Sequence, residues 1–125
     1  SLVDAAGIAS VAAMHNAFFP EIKDDKINYE EKTNKKLPLN KEIIPVSFTF
    51  YKLGNSIILD PTREEEEACD AKITFGVSKW NGQHMINSCQ KGMEMPFSGE
   101  DIKKMMEILP GKYDEIIKKV KKHLN

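Results

Sequence analysis

Four consecutive glutamates, Glu64 to Glu67, stand between two apolar runs in the stretch SIILDPTREEEEACDAKITF, with Asp60 before them and Asp70 after. Clustered carboxylates can coordinate a divalent cation or share acid and base work, provided their oxygens converge. Neighbouring residues in a strand or helix point in different directions, so four in a row cannot meet at one point. Glu64 and Glu67 could share a helical face. The run also lacks the glycine-punctuated pattern of a calcium loop. A solvated loop between strands is the expectation, with no metal site.

The other chemistry-bearing residues are dispersed. His15, His84 and His123 share no ligand spacing, so structural or surface roles are expected. Cys69 and Cys89 form no CxxC or Cys/His pattern and are expected as small buried residues in a reducing, intracellular compartment. The methionines of KGMEM and KKMMEIL are expected in the core. Trp80 could stack a nucleobase, although packing against the adjacent Asn81-Gly82 turn is the leading expectation. Lys118, Lys119, Lys121 and Lys122 read first as a solvated helix face and second as an RNA-phosphate footprint. A formal net charge of −1 supplies no global field for nucleic acid or membrane, while leaving room for a local patch.

Elements must position these groups, and 125 residues suffice for one small domain. Residues 2–18 are apolar around nearly the whole circumference of a helix, which predicts a buried helix ending before Pro20. Asp4, His15 and the shortness of the run argue against a membrane span. The helix begins so abruptly that the chain reads as a piece of something longer. Residues 21–43 form a polar connection in which DDK marks a turn, with short strands at 21–23 and 27–30 left open. Alternation then sets in: Ile44, Val46, Phe48 and Phe50 mark one strand, Gly54-Asn55 a hairpin, and SIILD the return. Ile73, Phe75 and Val77 mark a third strand, and HMINSCQ a fourth beyond Asn81-Gly82. Ser98 is a helix N-cap with Glu100 and Asp101 behind it, and Pro110-Gly111 is expected to divide the final helical segment in two. The fold class is α+β: a four-stranded, largely antiparallel sheet packed against helices, preceded by a buried N-terminal helix.

Several stretches together resemble the C-terminal half of an RNase-PH-like subunit of the exosome. They are LVDAAGIASVAAMHNAFFP, LPLNKEIIPVSFTFYKLGNSIILDPTREEEEACDAKITF and NSCQKGMEM. VSFTFYKLGNSIILDPTREEEE is most similar to the eukaryotic polymyositis/scleroderma-autoantigen type (exosome component 9), with the archaeal non-catalytic ring subunit second. The resemblance implies residues 1–20 as a helix at the junction with a missing N-terminal half, and 44–125 as an RNase PH C-terminal-type domain. It implies a structural ring subunit supporting 3′-to-5′ RNA processing and degradation, without a cofactor. The implied partners are other RNase PH-like subunits, S1/KH cap proteins, RNA passing through the assembled channel and, in a eukaryote, a hydrolytic exoribonuclease. The implied location is nucleus, nucleolus and cytoplasm in a eukaryote, or cytoplasm in an archaeon.

By the same resemblance, Asp70 matches the position of a catalytic aspartate in phosphorolytic relatives, with Glu64 as the nearest companion. No Arg-Ser pair accompanies them, and Arg63 is the sole arginine of the sequence. Little would then hold inorganic phosphate or neutralise transition-state charge. The expectation is that Asp70 closes a turn onto backbone N–H groups and that the chain is inactive by itself. The alternative is a phosphorolytic 3′-to-5′ exoribonuclease using Asp70 and Glu64 with phosphate and magnesium.

Overall fold

The computed structural model describes residues 1–124. In chain order the elements are α1 (Leu2–Asn16), β1 (Phe18–Lys23), β2 (Lys26–Lys36), β3 (Val46–Leu53), β4 (Ser56–Leu59), α2 (Arg63–Ala68), β5 (Ala71–Trp80), β6 (Gln83–Gly92), α3 (Gly99–Val120) and a closing 3-10 turn, Lys121–His123. Strands β1 and β2 make a separate antiparallel hairpin. The main sheet has the order β4-β3-β5-β6, and every neighbouring pair is antiparallel. This is the four-stranded α+β arrangement that the alternation and turn residues imply.

Register follows from the alternation. Val46, Phe48 and Phe50 of β3 lie opposite Val77, Phe75 and Ile73 of β5, so six apolar side chains share one face. Helix α3 covers that face with Met105, Leu109, Tyr113 and Ile117, spaced four apart and all buried. Phe50 and Met105 are fully enclosed, and each such side chain contributes about 1.5–3 kcal/mol relative to exposure. Tyr113 also donates its hydroxyl to the Ile44 carbonyl at 2.7 Å, which ties α3 to the entrance of β3.

The one charged side chain in the first fourteen residues anchors α1. Asp4 Oδ2 accepts from the Thr49 backbone N–H at 3.0 Å, and Asp4 Oδ1 accepts from the Thr49 hydroxyl at 2.8 Å. Strand β4 pairs with β3 only from Phe50 to Leu53. Thr49 is the first β3 residue beyond that ladder, and a helix carboxylate replaces the missing strand.

Three expectations are corrected, and the strands left open in the polar connection are present. The N-terminal helix is not buried on all sides: only Val11 and His15 are buried, while Leu2 is 85% and Val3 60% exposed. Its apolar circumference exceeds what β3 can cover. The polar connection contains the hairpin of β1 and β2, which turns at Asp24 and Asp25 with φ of 51° and 58°. Such a two-residue turn tolerates Asp in the left-handed region. Pro110 does not divide the last helix, which runs unbroken from Gly99 to Val120. The lost hydrogen bond and ring clash cost ~3 kcal/mol, and burial of the stripe on both sides of Pro110 offsets it. Finally, Cys89 is exposed, and Met93 and Met95 are about half exposed, whereas Cys69 and Met105 are buried and Met106 packs against the core as expected.

Candidate functional site

The acidic hinge is a short capped helix, not the expected loop. Asp60, at φ 59°, turns the chain out of β4, and Thr62 then caps α2. Its side chain accepts from the Glu65 N–H at 3.3 Å, and its own N–H donates to Glu65 Oε2 at 2.8 Å. This reciprocal box satisfies two donors, and the acidic first turn suits the positive end of the helix dipole. Glutamate is also a good helix former. The T-x-x-E spacing was therefore the legible signal that the loop reading overlooked.

The hinge carboxylates take separate tasks. Glu66 Oε1 accepts from the Tyr51 hydroxyl at 2.9 Å, and Glu67 accepts from Arg63 Nε at 2.8 Å on the exposed surface. Burial pushes the Tyr51 phenol up, and its carboxylate partner Glu66 adds to the rise. Glu64 is exposed in the first turn. Asp70 faces the β3–β4 turn: its Oδ2 accepts from the Gly54 N–H at 2.8 Å, while its backbone N–H donates to the Lys52 carbonyl at 2.8 Å. Gly54 has φ 57°, so the carboxylate fastens a backbone conformation that glycine adopts without strain. Among the described residues, no three His, Cys, Asp or Glu side chains converge to hold a metal ion.

Beside the hinge, Thr49 and Tyr51 of β3, Lys72 and Thr74 of β5 and Gln90 of β6 line a cleft of about 230 Å³ at the start of α1. Its hydroxyls and Lys72 can hydrogen-bond a polar ligand, but it contains no arginine. Lys91, at its edge, donates to the Met93 carbonyl at 2.6 Å.

The lysine face lies elsewhere. Lys118, Lys119, Lys121 and Lys122 are all exposed, with Lys119 drawn to Glu115 at 3.0 Å. The structure brings Lys121 and Trp80 to one cleft of about 300 Å³, together with Lys79 and Asp114. Asp114 Oδ1 accepts from Lys79 Nζ at 2.9 Å and lies 3.1 Å from His84 Nε2. Lys79 first, and His84 second, hold the Asp114 carboxyl below the usual carboxylate range. The scattered histidines thus part ways: His84 joins an ionic cluster and His15 is buried.

Two further groups had no long-range signal in the sequence. Asp4 stood out only as a charge in an apolar helix. Lys52 meets Asp101 at 2.7 Å, far apart in sequence, where Asp101 also completes the Ser98 capping box. The Lys52 ammonium, followed by the Ser98 N–H, lowers the Asp101 pKa to about 2.

Fold and hinge together define an RNase PH-like α+β domain, with strand, acidic helix and strand in succession. Residues 44–108 match the model of the 3′ exoribonuclease family, domain 2, and the chain belongs to that family. The exosome complex component Rrp42 of Methanothermobacter thermautotrophicus is 33% identical over 126 residues, covering 99% of this chain and 45% of that protein. The Pyrococcus horikoshii Rrp42 is 36% identical over 124 residues, covering 94% and 42%. The chain therefore spans less than half the length of these relatives. An archaeal exosome core superposes with a TM-score of 0.77 at 24% identity, covering 96% of this chain and 44% of that one. The Archaeoglobus fulgidus exosome with RNA bound to the active site gives 0.77 at 23%, covering 95% and 43%. At these identities the structural likeness concerns the fold.

Proposed function

We propose that this domain belongs to a non-catalytic ring subunit of an RNA exosome and acts as a scaffold for 3′-to-5′ RNA processing. The observation that carries this reading is the use made of the hinge. Asp70 is committed to the Gly54 N–H, Glu65 to the helix cap, Glu66 to Tyr51 and Arg63 to Glu67. A phosphorolytic centre needs cations disposed around the transferred phosphoryl group, whereas the one arginine is spent on an exposed ion pair. The names of the archaeal relatives support an exosome component of the Rrp42 kind. The eukaryotic autoantigen type rests on the sequence run alone and is the finer alternative. Partners on this reading are sister RNase PH-like subunits, with cap proteins above the ring and RNA through its channel. The location is cytoplasmic in an archaeon, and nuclear, nucleolar and cytoplasmic in a eukaryote.

The test is phosphate-dependent decay of single-stranded RNA by the ring reconstituted with the full-length subunit. Asp70→Ala is expected to leave release of nucleoside diphosphates unchanged once ring assembly is matched. Loss of that release in an intact ring would assign Asp70 a catalytic role and overturn the scaffold reading.

A further inference from the structure

Strand β3 carries a short open edge. In the hairpin with β4, Leu53 lies opposite Ser56 across the Gly54-Asn55 turn and Tyr51 opposite Ile58. Antiparallel strands bond outward at alternate residues, so Leu53, Tyr51, Thr49 and Ser47 direct N–H and C=O groups to the β4 side. The Thr49 N–H is answered by Asp4. Asp60, at φ 59°, carries the chain away before it can reach Ser47. Strand β3 begins at Val46 after Pro45, which has no N–H, so the open edge ends there. It offers the Ser47 N–H and C=O and the Thr49 C=O.

A groove of about 550 Å³ runs along this edge between α1 and α3. Ile8, Phe48, Leu59 and Ile116 supply its apolar lining. Its two ends differ in charge. At the Thr49 end stands Asp60, with a side chain 91% exposed and 3.7 Å from the Ser1 amino group. Helix α3 runs from Asp101 beside Lys52 to Tyr113 beside Ile44, which places Lys112 and Lys119 toward the Val46 end. Both contact the single carboxylate of Glu115, at 3.0 Å each, so that end keeps an excess positive charge.

We infer that this groove receives an extended segment of a partner polypeptide, added antiparallel to β3 as a continuation of β4. Antiparallel addition repeats the ladder already present, and its residue opposite Ser47 exchanges both hydrogen bonds. Its neighbours, opposite Phe48 and Val46, are apolar. Because the segment's C-terminal end lies beside Lys112 and Lys119, that end bears a carboxylate. The reading is independent of exosome membership, since it concerns the edge and not RNA.

The probe is acetyl-Thr-Val-Thr-Val-Thr-Glu-amide, titrated into the isotope-labelled chain and followed by backbone amide shifts. The expected result is saturable shifts confined to residues 46–49 and the facing turns of α1 and α3, with a Kd of roughly 0.1–1 mM. N-methylation of the first, third and fifth peptide residues removes the donors facing β3 and is expected to lower affinity at least tenfold. Ser47→Pro removes the outward N–H without deleting a group that pairs with β5, and is expected to do the same. The double variant Lys112→Glu with Lys119→Glu is expected to prefer the peptide ending in Lys over the one ending in Glu, which tests the charge argument on a second folded protein. Equal binding of the N-methylated peptide, shifts centred elsewhere, or no saturation would overturn the proposal. A chain that dimerises without peptide and becomes monomeric on Ser47→Pro would also overturn it, by placing a second copy in the groove.

Discussion

Asp4 shows how one side chain can substitute for a strand. With its two oxygens on the Thr49 N–H and hydroxyl, Asp4→Ala leaves a donor at a site where Thr49 is 2% exposed. An unsatisfied buried group costs about 1–3 kcal/mol, so the urea midpoint is expected to fall accordingly, with Asp4→Asn losing less. Asp101 carries a pH signature. Its folded pKa of about 2 lies below the ordinary 3.8, with Lys52 as the principal cause and the Ser98 N–H next. The folded state therefore binds this proton less readily than the unfolded state. The resulting stabilisation is complete above the ordinary pKa and is lost as pH falls from about 5 toward 2. Asp101→Asn is expected to flatten that part of a stability-against-pH curve and to leave the slope between pH 6 and 8 unchanged.

At the scale of elements, α2 and α3 invite opposite substitutions. Thr62→Ala removes the side-chain half of the α2 capping box and is expected to cost ~1 kcal/mol. Glu64→Gln alters only an exposed charge and should stay within about 0.5 kcal/mol; paired denaturation curves compare the two. Pro110→Ala restores a helical N–H and removes a ring clash inside α3. It is expected to stabilise by about 1–3 kcal/mol, read as a higher thermal midpoint. No gain would show that α3 bends at Pro110 to follow the sheet. The β1–β2 hairpin depends on its turn: Asp24 and Asp25 both have positive φ. Asp25→Gly should therefore leave the pairing intact, whereas a β-branched residue there would strain it.

For the molecule as a whole, charge placement matters more than net charge. The sum is −1, but Lys118, Lys119, Lys121 and Lys122 gather at one end of α3, where Lys121 shares a cleft with Trp80. Binding of single-stranded RNA by this chain is expected to be weak and to fall steeply with salt, as few phosphate contacts dictate. Replacing three of the four lysines by Gln should abolish it while leaving the circular dichroism spectrum unchanged. Salt-resistant binding that survives the replacement would shift attention to stacking on Trp80. The exposed Leu2, Val3 and Met14 of α1 form the complementary apolar feature at the other end of the chain.

Short-range rules were written in the sequence. Period-two apolar residues drew β3, β5 and their shared face, Asn81-Gly82 and Gly54-Asn55 set the hairpins, and Ser98 began α3. The T-x-x-E box of α2 was equally local and equally readable. The β1–β2 hairpin was harder, because a strand pair with polar residues on both faces has no alternation to announce it. What only the tertiary structure decided depends on residues far apart in the chain. Pro110 stays helical because the stripe on either side of it finds the sheet. Asp4 reaches Thr49, Lys52 reaches Asp101, and Asp70 turns to Gly54 because folding brings these groups within hydrogen-bond distance. The β3 edge stays open because Asp60 turns the chain out of the sheet before it can pair with Thr49 and Ser47. Periodicity encodes which face of an element is apolar; which group meets it is settled only when the elements pack.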